Sequence, residues 1–218
     1  MIDFRRSGDR FRTESPGITT WHCFSSGAHY DPANLSFGPL VACDEHLLDP
    51  GAGFSAHPHA RVELVSWVLE GGLAHDDAAG RSTVITPGRA QYQLAGTGIR
   101  HTERNDSRAE PLRFVQMWLT TDEDVPEYDI CAPPVNLSAG TFDVLRRCRG
   151  TRLTAPLVHL YVAAGNFHVA GRDLRTGDSV RASDAPVEID GDGQLLVVSG
   201  ATDTWHSPGW SAKTRSAR

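Results

Sequence analysis

"FSAHPHARVELVSWVLEGG", residues 54–72, decides how this chain is read, because it sets two histidines one residue apart at the head of an alternating, valine-rich run. In an extended strand, residues i and i+2 point to the same face, so His57 and His59 present two imidazoles side by side. The same parity unites His101 and Glu103 in "GTGIRHTERN", residues 96–105. Two such pairs on facing strands of a small barrel converge on one point. They then offer three imidazoles, one carboxylate and open positions for water or substrate. That donor set suits iron, manganese, nickel, cobalt or copper, and also catalytic zinc; iron(II) is the favoured metal for oxygen chemistry at imidazole and carboxylate ligands. A single HxH in a strand is as readily a wet surface pair. A second pair of ligand type beside its own glycine turns weighs against that reading.

The surroundings are strand-rich. From Leu40 to Leu119 short apolar runs such as "LVAC", "RSTVITPG", "AQYQLAG" and "LRFVQMWL" are separated by Gly71-Gly72, "DDAAG" and Pro87-Gly88. Glycine supplies positive φ there and proline presets φ, so these are turns with a physical basis. Residues 120–136, "TTDEDVPEYDICAPPVN", are acidic and proline-bearing with little periodicity, as expected of a linker. Beyond it the first half is echoed: "WVLEGGLAH" at 67–75 by "YVAAGNFHV" at 161–169, and "TPGRAQYQL" at 86–94 by "RTGDSVRAS" at 175–183. The expectation is a duplicated β module, nearly all β, with no amphipathic helix longer than about three turns.

Composition narrows the function classes. With 218 residues the chain holds one large or two small domains. A net charge of -6 argues against a broad phosphate-binding face, so no nucleic-acid partner is expected; the basic tail "SAKTRSAR" reads as a solvated terminus. No apolar run is long enough for a membrane span, and "MIDFRRSGDRFRTESPG" has no apolar leader region, which makes the cytoplasm the expected compartment. Cys23, Cys43, Cys131 and Cys148 lack CxxC spacing and are expected to stay thiols. His75 with Asp76 and Asp77 in "AHDDAAG" reads as turn chemistry, and His46 in "CDEHLLDP" as a polar strand edge. "GTG" at 96–98 is no dinucleotide fingerprint.

These residues resemble the cupin superfamily, and within it the pirin family. Gly51, five residues, His57, His59 and, after three more, Glu63 follow the first cupin motif, with Gly71 closing it one residue late. Gly98, His101 and Asn105 follow the second, with Gly96 where a proline would stand. "HPHARVELVSWVLEGGLAHDD", "TPG", "AGTGIRHTERN" and the early "WHCFSSGAHYDP" are pirin-like, and the likeness is specific over residues 20–119. The resemblance implies a bicupin: an N-terminal segment over 1–37 packing on the C-terminal barrel, a metal-binding barrel over 38–119, the linker, and a degenerate C-terminal barrel over 137–218 that binds no metal. It implies one metal on His57, His59, His101 and Glu103, with Glu63 standing just behind the ligands. It also implies quercetin 2,3-dioxygenase-type activity on a flavonol and O2, with Glu103 as the base and carbon monoxide released, in a monomer. The alternative it allows is a non-enzymatic, metal-dependent redox sensor that binds a transcription factor or a metabolic enzyme.

Overall fold

The computed structural model describes residues 1–200, so the basic tail lies outside the described residues. The N-terminal part of the chain forms β1 (Ile2–Arg5), β2 (Phe11–Ser15), β3 (Ile18–His22), β4 (Leu40–Leu48), β5 (Gly53–His59) and β6 (Val62–Glu70). It continues as β7 (Leu73–Asp77), β8 (Ser82–Ile85), β9 (Ala90–Leu94), β10 (Ile99–Asn105), β11 (Leu112–Thr120) and β12 (Glu127–Cys131). The rest supplies β13 (Val135–Leu137), β14 (Gly140–Leu153), β15 (Leu157–Val169), β16 (Arg172–Arg175), β17 (Ser179–Ser183) and β18 (Val187–Gly200). A 3-10 turn at Ser7–Asp9 is the single helical element among the described residues, so the fold is all β. No helix there is long and apolar enough to cross a membrane.

The N-terminal half is two sheets packed face to face in the cupin manner. One runs β5-β10-β7-β8, the other β12-β9-β6-β11-β4-β3-β2. Leu48, Val68, Leu73, Ile85, Leu112 and Phe114 from both sheets fill the space between them. The C-terminal half is one sheet, β1-β17-β15-β18-β14-β13, with β16 on β15. Alternation sorts the large N-terminal sheet into two working faces. On β6, Ser66 and Val68 look inward, while Val65 and Trp67 join Tyr161, Phe142 and Leu196 of the other half in a shared core. Trp67 carries this contact further by donating Nε1–H to Gln194 Oε1 at 2.9 Å.

Three features differ from the sequence expectations. The first 37 residues divide: β1 pairs with β17 of the C-terminal half, whereas β2 and β3 extend the N-terminal sheet beside β4. The stretch 120–136 is not bare linker, because β12 zips onto β9 and so shares an edge with the first half. The echoed "YVAAGNFHV" is also no hairpin. It lies within the unbroken β15, because Gly165 (φ 89) and Gly193 (φ 144) approach too closely for side chains. A Cβ at Gly193 would lie 2.1 Å from the Ala164 carbonyl oxygen. The long strands therefore bend at glycine where the first half breaks into separate strands.

Candidate metal centre

The site is assembled by the register of β5 on β10. His57 stands directly opposite His101, and the pairing slips between His101 and Glu103 so that Glu103 meets Phe54. Strand β5 is the outer strand of its sheet, which is why Pro58, lacking an N–H, is tolerated between the two histidines. Gly53 allows the strands to close at the far end, since a Cβ there would sit 2.4 Å from the Glu103 carbonyl oxygen.

The three imidazoles form a near-equilateral triangle. Ring centroids are 4.8 Å apart for His57 and His59, 4.6 Å for His57 and His101, and 4.8 Å for His59 and His101. One nitrogen from each lies within 4.8 Å of the others. His59 Nε2 is buried with no hydrogen-bond partner, an orphan that a cation would satisfy. Burial and then the neighbouring imidazoles pull His101 down to about pKa 3; burial and then His57 pull His59 down to about 4. Both rings are therefore neutral at neutral pH, the form that ligates metal. The donor set fits one divalent ion.

The rings are also held from behind. Ser55 O accepts from His57 Nδ1 at 2.8 Å, which fixes the tautomer and leaves Nε2 with its lone pair. His57 Nε2 faces His101 Nε2 at 3.0 Å, and His101 Nδ1 faces His75 Nε2 at 2.9 Å. The proton shared between His57 and His101 must leave for both nitrogens to ligate. His75 can then accept from His101 Nδ1–H, the usual outer support of a ligating histidine. His75 is fully buried and stacks on Tyr128 with centroids 5.0 Å apart, so reading it as turn chemistry is corrected: only Asp76 and Asp77 work at the hairpin end.

Glu103 is buried in the same cavity, with Oε1 accepting from Gln116 Nε2 at 2.9 Å. Burial pushes its pKa up to about 7, with the Gln116 hydrogen bond pulling the other way. Its carboxylate is turned to Gln116 and does not belong to the tight group of ligand atoms that the three histidines make.

Glu63 stands apart from these groups. The turn at Ala60-Arg61, where Arg61 has φ 59, ends β5 before β6 begins, so parity does not carry across from His59. Glu63 shares its face with Val65 and Trp67 and accepts from Tyr92 (2.8 Å) and from the Ser138 hydroxyl (2.7 Å) and amide. It clamps the halves together and does not back the histidines.

Of the three histidines, His57 lines a cavity of about 600 Å³, the size range of small-molecule sites. His57, Phe54, Trp118, Gln116, Glu103 and His46 line it, together with Arg12, Glu14, His22 and His29. Trp118 packs edge-on against His59 with centroids 4.7 Å apart and donates to Gln116 Oε1 at 2.7 Å. The sequence reasoning missed His75, Gln116 and His46 as members of the site. For Gln116 a signal existed, since it shares parity with Phe114 and Trp118 in "FVQMW".

A family model described as Pirin matches residues 5–119. "Putative quercetin 2,3-dioxygenase Rv0181c" of Mycobacterium tuberculosis is 37% identical over 213 residues, covering 84% of this chain and 87% of that protein. "Quercetin 2,3-dioxygenase" of Escherichia coli is 35% identical over 131 residues, 59% of this chain and 57% of that protein. The solved structure of the bacterial pirin YhhW from Escherichia coli in complex with nickel(II) superposes with a TM-score of 0.81 at 26% identity, covering 92% of this chain and 100% of that one.

Proposed function

Because this chain belongs to the pirin family, we propose that it is a metal-dependent dioxygenase of the quercetin 2,3-dioxygenase type, opening a flavonol ring with O2 and releasing carbon monoxide. The observation that carries the proposal is the cluster of three imidazoles beside a cavity of small-molecule size that His57 and the buried carboxylate of Glu103 line. His57, His59 and His101 would hold one divalent ion, iron(II) by the chemistry of the donors, with Glu103 completing the set while it stays bonded to Gln116. Nickel in a pirin of similar fold supports a site tolerant of several metals.

When bound, the cation supplies Lewis acidity that lowers the pKa of the flavonol 3-hydroxyl. Glu103 then accepts that proton through Oε2, since Oε1 is engaged by Gln116. Gln116 is fixed by its own bonds to Ser66 and Trp118, so it keeps the carboxylate aimed at the cavity. Phe54 and Trp118 supply flat apolar surface for an aromatic substrate and keep water away. Overall one O2 is incorporated, two carbon–carbon bonds of the heterocycle break, and carbon monoxide and a depside leave. The test is oxygen uptake on adding quercetin. Metal-loaded protein should consume both together and metal-free protein neither. Full metal content without uptake would favour the metal-dependent regulator instead.

A further inference from the structure

The cavity wall away from the histidine triangle has a chemistry of its own. It is built by β3 and β4, which carry His22, Asp44 and His46 into the space facing Phe54 and Gln116. Most of its polar groups are already satisfied within the protein. His22 is matched at Nε2 by the Thr13 hydroxyl at 3.0 Å, and its Nδ1 lies 3.0 Å from Asp44 without a hydrogen bond, turned to the wall and not to the cavity's Phe54 side. Gln116 uses Nε2 on Ser66 and Glu103 and Oε1 on Trp118. His46 is different. Its Nδ1 is matched by Thr20 Oγ1 at 2.9 Å, while its Nε2 hydrogen-bonds to nothing among the described residues.

The ring of His46 is well positioned. It is gripped between Phe54 and Phe114, with centroids 5.2 Å and 4.8 Å away, so it cannot swing out of the wall. Phe54 in turn lies 6.4 Å from His57. His46 therefore stands one aromatic ring beyond the histidine triangle. Burial first, against the attraction of Asp44, brings its pKa down to about 4, so the ring meets a ligand neutral and can either donate or accept at Nε2.

Resting on the flavonol reading, we infer that His46 is a specificity-determining residue whose Nε2 hydrogen-bonds a phenolic hydroxyl on the part of the substrate remote from the coordinated one. The site thus selects polyhydroxylated flavonols over those bearing the 3-hydroxyl alone. Thr20 acts as a positioning residue by fixing the ring through Nδ1.

Anaerobic titration with two probes tests this: quercetin, hydroxylated on both outer rings, and 3-hydroxyflavone, which lacks those hydroxyls. Wild-type protein with measured metal content should bind quercetin about tenfold more tightly, the weight of one well-placed hydrogen bond. In His46→Phe that preference should fall to about one, with metal content unchanged. His46→Gln should restore part of it. A His46→Phe protein that keeps the wild-type preference overturns the inference while leaving the flavonol reading intact. Wild-type protein that binds neither probe removes the flavonol reading and this inference with it. Should His46→Phe fail to fold, Thr20→Val carries the test: the preference drops at least by half, or the inference falls.

Discussion

His101 joins three relationships at once: it faces His57 across the strand pair, closes the triangle with His59, and rests against His75 behind. His101→Ala should therefore lose the metal while keeping the fold, because the apolar packing between the sheets does not include it. Metal analysis and a melting curve on one sample check both halves of that statement. His75→Phe keeps a flat ring against Tyr128 but removes the acceptor for His101 Nδ1. Metal affinity should fall about 10- to 100-fold in a competition assay with a chelator. Glu103→Gln should slow quercetin turnover by about 10²- to 10⁴-fold, since the amide can ligate weakly but cannot accept a proton. The clustering of His57, His59 and His101 was legible because period-2 parity is a local property of two short stretches. His75 and His46 were not, since what makes them part of the site is their partners, Tyr128 and Thr20, from strands far along the chain.

At the level of elements, the fit of β5 on β10 decides whether His57 and His101 meet. Gly53→Val should force these strands apart against Glu103 O and Arg104, costing about 1–3 kcal/mol. A lower melting temperature together with weaker metal retention would bear this out; an unchanged metal content would show that the triangle tolerates a shifted register. Strand runs over 40–119 were legible from alternation and turn residues. The bent strands β15 and β18 were not, because a glycine inside a strand and a glycine in a hairpin look alike until the opposing backbone is known. Glu63, which the resemblance put behind the histidines, lies elsewhere because the positive φ of Arg61 ends β5 and turns β6 to the other half.

For the whole molecule, the joint between the halves combines a shared apolar core with a buried ionic knot. Glu45 on β4 accepts from Arg10 (2.7 Å), from Arg113 (2.7 Å) and from the Tyr161 hydroxyl of the other half (2.5 Å). Burial pushes the Glu45 carboxyl up, but Tyr161, Arg10 and Arg113 outweigh it and hold its pKa below the ordinary value. A carboxyl depressed in the folded state stabilises fully above its unfolded pKa of about 4.3, and that contribution is lost as pH falls through the folded value. Glu45→Gln should accordingly cost about 3 kcal/mol at neutral pH, and the gap to wild type should narrow as pH drops below about 4. Denaturant unfolding at a series of pH values measures this; a gap that widens in acid would contradict it. The joint also keeps the back of the β4 and β11 wall in register, and with it the cavity that Gln116 and His46 line on the opposite face.

The most direct test of the central claim is headspace carbon monoxide released per quercetin consumed, measured for metal-loaded wild type beside metal-free protein and a metal-salt control. The loaded protein should release about one carbon monoxide per quercetin, and the other two only background. Fully loaded wild type that releases no more carbon monoxide than the salt control would contradict it.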